Sequence, residues 1–192
     1  MQFRALFRYN GRVRITCGHC GVEFVAAATG RNPRYCSGRC RVAAHRARPR
    51  IPTELTSRDR WVRHWKKRPI TVEGKAASST NPATWASYAA VTRSSRGHGI
   101  GFVLGDAIAC LDLDHCLVNG VPNDRAREVL ARVPGAYVEV SPSGDGLHVW
   151  GLAAPQRGQR RNGVESYSVG RYITVTGDVF RAGRLVDLSE FF

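Results

Sequence analysis

Long apolar runs are missing from this chain of 192 residues: no stretch of about 18 apolar residues occurs, so no membrane-spanning helix is expected. Internal repeats and low-complexity segments are missing as well, which leaves a globular reading. Acidic residues are scarce at one end. Residues 1–68 hold 3 of the 15 Asp/Glu but 17 of the 29 Lys/Arg, and so account for the whole net charge of +14. Residues 69–192 are balanced. A cationic segment joined to a neutral domain reads as an electrostatic handle for a phosphate backbone. A solvated basic tail is the plainer alternative. Residues 1–14 are Arg-rich and acid-free, superficially like a transit peptide, but no apolar core or cleavage signal follows. They are read as part of the mature protein, and a cytoplasmic location with reduced cysteines is the expectation.

The length suits one main domain with a small appendage. The appendage is residues 1–50. Cys17 and Cys20 form a C-x2-C knuckle, and Cys36 and Cys40 follow with C-x3-C spacing. Two close thiolate pairs suit one tetrahedral Zn²⁺, with His19 and His45 as alternative ligands. So small a segment has little apolar mass, and metal binding would supply its folding free energy. The metal is expected to be structural. A helix is expected after Cys36, capped by Ser37, decorated by Arg39, Arg41, Arg46 and Arg48, and ended by Pro49 and Pro52.

Residues 51–192 read as an α/β domain. Ser57 is expected to cap a helix with Trp61 and Trp65 on one face. Asn81-Pro82 is a helix start, for a helix running to about Val91. Ile100–Leu104 and Ala107–Asp114 read as strands. A helix should run from Asn123 or Asp124 to about Val133, before Pro134-Gly135. Tyr137–Val140 and Leu147–Gly151 read as a hairpin, Gln156–Gly163 as a basic loop, and Val164–Val169 and Arg171–Thr176 as further strands.

Three stretches carry chemistry. In Leu111-Asp112-Leu113-Asp114 the carboxylates fall on one strand face, roughly 7 Å apart at Cα. Such a pair is costly if buried alone, and hard divalent cations with oxygen ligands offset that cost. In Ser143-Gly144-Asp145-Gly146-Leu147-His148, the glycines let backbone N–H groups approach a phosphate, Ser143 adds a hydroxyl, and His148 can donate to a phosphate oxygen. In Val164-Glu165-Ser166-Tyr167, Glu165 can complete a metal site with Asp112 and Asp114. Arg171, opening Arg-Tyr-Ile-Thr-Val-Thr-Gly, offers a guanidinium suited to phosphates. Cys110 and Cys116 are not assigned to metal; Cys110 reads as a small buried apolar residue.

The order D-x-D, then S-G-x-G-x-H, then an acidic residue followed by R-Y-I-T-V-T-G, resembles the bifunctional DNA primase/polymerase (prim-pol) domain of the archaeo-eukaryotic primase superfamily. The segment from Lys75 to Trp85 is similar to the early part of such domains, and the resemblance spans about Trp61 to Asp178. The Tyr35–Arg41 pattern resembles small treble-clef-like zinc fingers of bacterial and phage proteins. The resemblance implies a two-module α/β core with an RNA-recognition-motif-like sheet, preceded by a small zinc-binding module. It implies a nucleotidyltransferase in which Asp112, Asp114 and Glu165 hold two Mg²⁺ or Mn²⁺ ions. Ser143, Gly144, Gly146, His148, Arg171 and Lys75 would bind the nucleotide. The partners implied are a single-stranded DNA template, NTP or dNTP, and a replicative helicase. Ser166 stands where the family's third motif often has an apolar residue.

Two other readings remain at this level. One is a non-catalytic zinc-containing DNA-binding replication regulator built on a primase-like core. The other is a metal-dependent nuclease using the same carboxylates, without a His–metal nuclease motif to support it.

Overall fold

The computed structural model describes residues 8–9, 12–27, 33–46, 51–161 and 163–192. The chain divides into two compact units, residues 1–49 and 50–192. No described helix is long and apolar enough to cross a membrane.

In the first unit β1 (Arg8–Tyr9), β2 (Arg12–Thr16) and β3 (Glu23–Ala27) form an antiparallel sheet in that order. The helix α1 (Gly38–Arg46) follows. Ser37 caps it as expected, its hydroxyl accepting from the Cys40 N–H at 3.1 Å. Arg39 and Arg41 are exposed on its surface. The expectations at Arg48 and Pro49, at the side chains of His45 and Arg46, and over residues 1–7, 10 and 11 of the basic segment lie outside the described residues.

The second unit opens with α2 (Thr53–Thr56), β4 (Trp61–Trp65) and β5 (Arg68–Ile70). A single 3₁₀ turn at Pro82–Thr84 leads to α3 (Tyr88–Arg93) and β6 (Gly99–Val103). Then come β7 (Ile108–Leu113), β8 (Leu117–Val118), β9 (Val121–Pro122), α4 (Asp124–Arg132), β10 (Tyr137–Val140) and β11 (Leu147–Leu152). The chain continues through β12 (Gln159–Arg161), β13 (Val164–Tyr167), β14 (Tyr172–Val175), β15 (Val179–Arg181) and β16 (Val186–Asp187). The larger sheet runs β12-β13-β7-β11-β10-β15, with β16 parallel to part of β11; the smaller runs β14-β6-β4-β5. Within the larger sheet, β7, α4, β10, β11 and β13 follow as β–α–β–β–β in spatial order β13-β7-β11-β10. That is the strand order of an RNA-recognition-motif sheet, with residues 153–163 standing where such a motif has its second helix.

Alternation sorts the larger sheet into two faces. Leu111, Leu113, Val138, Leu147 and Val149 pack with Ala126, Val129 and Val133 of the α4 segment. On the other face Cys110, Tyr137 and Trp150 meet Trp61, Phe102, Ile173 and Val175 of the smaller sheet. Trp61 and Phe102 cross edge to face at 5.3 Å, and Phe102 meets Trp150 likewise at 6.1 Å. Each such ring removes ~200 Å² from water, on the order of 5 kcal/mol before entropy is charged against it. The Trp61 indole N–H donates to Leu55 O at 3.1 Å, so its burial strands no donor.

Three expectations need correction. Trp61–Trp65 is a strand, not a helix: the helix stops at Thr56, and Trp61 is fully buried while Trp65 is 52% exposed. The helix expected from Pro82 to Val91 is two pieces. Asn81 does cap the first, accepting from Ala83 N–H at 3.1 Å, but residues 85–87 are extended, Ala86 bridges Trp61, and Ser87 caps α3. The expected Gln156–Gly163 loop contains β12, which pairs along β13.

Candidate active site

Register builds one polar row across the larger sheet. Asp112 of β7 pairs with His148 of β11 on one side and with Glu165 of β13 on the other. The row continues to Glu139 of β10 beyond His148, and to Arg160 of β12 beyond Glu165. All five side chains share the face that carries Cys110, Tyr137 and Trp150, because each lies two residues from a member of that core or opposite one that does.

The carboxylates converge. Asp114 follows directly on β7, and oxygens of Asp112, Asp114 and Glu165 all lie within 4.8 Å of one another. Only oxygen donors meet there, a set that suits Mg²⁺ or Mn²⁺ rather than a soft metal. Asp112 and Glu165 side chains are each 19% exposed. Burial pushes the Asp112 carboxyl above its ordinary range, the Asp114 and Glu165 charges add to this, and His148 and Arg171 oppose it. Held without a cation, three converging carboxylates are repulsive; a cation reverses the sign.

His148 is buried, with Nε2 3.8 Å from Asp112 Oδ1 and Nδ1 3.7 Å from Glu139 Oε1. Its Nδ1 has no hydrogen-bond partner among the described residues. Glu139 was not anticipated from sequence. It is fully buried and accepts from Tyr137 Oη at 3.3 Å, Trp150 Nε1 at 3.2 Å and the Gly177 N–H at 3.1 Å. Three donors pin one carboxylate behind the histidine. An acid between two valines in Tyr-Val-Glu-Val was the signal the sequence offered, and the register of β10 on β11 is what places it opposite His148.

Glu165 is framed by cations and a phenol. Arg160 Nε lies 3.6 Å from Oε1, Arg171 Nη1 lies 3.9 Å from Oε2, and Tyr167 donates its hydroxyl to Oε2. Arg171 also sits over the Tyr167 ring at 4.0 Å. Burial and the bond to Glu165 push the Tyr167 phenol up to about 12. The Ser78–Asn81 turn reaches the same place, since the Ser79 hydroxyl donates to Gly170 O at 2.9 Å.

The glycine turn joins β10 to β11 beside the residues after β7, with Leu147 opposite Leu113. Its interior differs from the expected phosphate cradle. The Gly144 N–H donates to Ser141 O at 2.9 Å, and the Ser143 hydroxyl is held between Ser141 Oγ at 2.9 Å and the Asp145 carboxylate. Asp145 meets His115 Nδ1 at 2.6 Å. Gly146 is needed by close approach: a Cβ there would lie 2.7 Å from Ser141 Oγ and 2.9 Å from Leu113 O. Lys75 lies on the turn after β5, its backbone N–H directed to Thr71 Oγ1 at 3.3 Å, and no ion pair or hydrogen bond joins it to the carboxylates.

In the first unit Cys17, Cys20, Cys36 and Cys40 bring their sulfurs within 4.8 Å of one another. Sulfur separations of 3.7 Å (Cys20–Cys36) and 3.4 Å (Cys36–Cys40) approach the ~3.8 Å edge that a tetrahedron with Zn–S bonds of about 2.3 Å demands. The cluster therefore fits a small zinc-binding module. Backbone N–H groups of Cys20 and Cys36 lower the Cys17 thiol to about 6, while hydrogen bonds with Cys40 and Cys17 push the Cys36 thiol up to about 12, so the four sulfurs do not ionise together without a cation. Cys110 and Cys116, of the second unit, are buried and belong to neither ligand cluster.

No protein-family model matches the chain. A curated relative, the "DNA Primase-polymerase" of Nitratiruptor phage NrS-1, is 37% identical over 141 residues, covering 62% of this chain and 19% of that protein. The chain thus spans about a fifth of the length of the relative it matches.

Proposed function

We propose that residues 51–192 form a prim-pol catalytic domain: a template-dependent DNA primase/polymerase that joins nucleotides from NTP or dNTP to a 3′-hydroxyl on single-stranded DNA. The observation that carries this reading is the convergence of Asp112, Asp114 and Glu165 oxygens within 4.8 Å, with His148 in register beside them. The relative's name supports the same chemistry.

Bound to these carboxylates, two divalent cations would acidify the attacking 3′-hydroxyl and neutralise charge on the triphosphate and departing pyrophosphate. The remaining work belongs to the chain. His148 presents a ring nitrogen on the cluster's flank, in position to donate to a phosphate oxygen. Glu139 places a negative charge behind that ring, 3.7 Å from Nδ1. Arg171 and Arg160 bring positive charge to the opposite flank, where a triphosphate or template phosphate needs it. Ser143, Gly144 and Gly146 shape the turn beside the cluster, and Lys75 adds charge at longer range. In the first unit, Zn²⁺ on the four cysteines would hold a basic module of residues 1–50 that grips the template.

The test is nucleotide incorporation on single-stranded DNA, with and without primer, in Mg²⁺ and Mn²⁺, against Asp112→Ala/Asp114→Ala. Product lost in the variant supports the reading, and unprimed product makes the protein a primase. No product from folded protein that still binds DNA would favour the non-catalytic regulator.

A further inference from the structure

Trp65 is the one tryptophan among the large exposed apolar side chains, 52% accessible, four residues along β4 from the fully buried Trp61. It closes the β4–β5 hairpin, pairing with Arg68 across a turn made of Lys66 and Lys67. Lys66 has φ of 53°. Turns of this kind favour Asn or Gly in the left-handed position, so a lysine there costs about 1 kcal/mol and is not what stability alone would select. The Trp65 ring rests on His98, with centroids 4.1 Å apart and planes 36° from parallel. His98 is fixed in turn, its backbone N–H donating to His64 O at 2.7 Å. Beside the indole lies an open groove of about 420 Å³, lined by Trp65, Arg68, Ile70, Glu73 and Arg96. Among the described residues, Lys66, Lys67, Arg68 and Arg96 make no ion pair.

An exposed aromatic face with four unpaired cations about it, and Glu73 as the one acid on the groove, matches one ligand chemistry. Nucleobases stack on it, and the phosphates that link them meet the lysines and arginines. A folded protein partner would need acidic groups around an apolar pocket, whereas a single strand supplies both elements in each nucleotide. The placement suits a strand that also reaches the carboxylates. Pairing in the smaller sheet sets Trp65 two strands across and six residues along from Arg171, which flanks Glu165, roughly 20 Å in all, a span that a few extended nucleotides cover.

We infer that Trp65, stacked on His98 and flanked by Lys66, Lys67, Arg68 and Arg96, is a base-stacking platform for the single-stranded DNA template outside the catalytic cleft. This rests on the polymerase reading and names where its template is held.

Binding of the full chain to oligo(dT) tests it, by anisotropy of a labelled strand and by quenching of intrinsic tryptophan emission with an unlabelled one. Trp61 and Trp150 are fully buried, and Trp85 lies under the Arg60 guanidinium at 4.4 Å, so the quench should come from Trp65. Trp65→Ala should weaken binding about 5- to 100-fold. Trp65→Phe should keep most of the affinity while losing the quench. Lys66→Ala/Lys67→Ala should flatten the plot of log K against log salt by about 1.4, two phosphate contacts' worth. Melting curves control for folding, and an exposed ring should leave them unchanged. Nucleotide incorporation is measured on the same preparations. If wild type incorporates nucleotide while Trp65→Ala binds and quenches as wild type does, the platform is overturned, the polymerase reading stands, and the indole is left to a protein partner. If wild type neither binds single strands nor incorporates, both readings fall together.

Discussion

Replacing Asp112 by Asn should stabilise the protein without divalent cations and destabilise it, relative to wild type, when they are present. Asp112 and Glu165 carboxylate oxygens lie at most 4.8 Å apart, and both side chains are mostly buried. At an effective dielectric near 20 their repulsion is about 3.5 kcal/mol. His148 at 3.8 Å from Asp112, and Arg160 and Arg171 at 3.6 and 3.9 Å from Glu165, offset part of this. Relief on the order of 1–2 kcal/mol remains. For a chain of this length that raises Tm by about 3–6 °C. Wild type should gain about 2.7 kcal/mol when Mn²⁺ reaches a hundred times its Kd, since the ion binds the folded state. Asp112→Asn should gain far less. Thermal melts across a Mn²⁺ titration, in buffer freed of divalent ions without chelator so that the cysteine cluster is not stripped, should therefore cross. If the variant melts below wild type in metal-free buffer, and Mn²⁺ moves neither protein, the carboxylate convergence is not a cation site.

Further perturbations separate the roles of the neighbours. Glu139→Gln keeps the packing but removes the charge behind His148; incorporation should fall roughly 10- to 100-fold, mainly in kcat, while Glu139→Ala should also lower stability by ~3 kcal/mol or more by stranding three buried donors. Burial lowers the His64 pKa below its ordinary value, with the Lys66 carbonyl contact opposing. The unfolded chain therefore binds the proton more readily, so the stability that neutral His64 contributes is present above about pH 6.5 and is lost as pH falls below it. Melts at pH 5.5 and 7.5 should show a smaller difference for His64→Gln than for wild type. In the first unit, Cys36→Ser/Cys40→Ser should lose one equivalent of zinc in a colorimetric assay while the wild-type chain retains it after gel filtration.

Sequence pattern reached the acidic cluster because its members sit in short, chemically unusual runs. Asp112 and Asp114 stand out in an apolar strand, and His148 and Glu165 follow in recognisable surroundings. Glu139 did not stand out. An acid between valines reads as the solvated side of a half-buried strand, and only pairing with β11 shows that it faces His148. Trp61 and Trp65 misled because a spacing of four keeps one face on a helix and on a strand alike. β-branched Val62 between them was the hint of extended backbone. β12, Gln-Arg-Arg, carries no apolar alternation, since an edge strand can be polar on both faces. The Asn81-Pro82 start signal was sound locally, but Ala86 was drawn into pairing with Trp61, which split the helix.

The polar row from Glu139 through His148, Asp112 and Glu165 to Arg160 is set by strand pairing rather than by loops, and this shapes how the gene can vary. A change of one side chain in the row alters one group. A single codon gained or lost within β7, β11 or β13 would flip every downstream side chain of that strand to the opposite face, taking the polar group out of the row and driving an apolar one into it. Insertions and deletions should therefore be confined to connections such as residues 153–158, which run between β11 and β12 and can lengthen at small entropic cost without shifting any pair in the row.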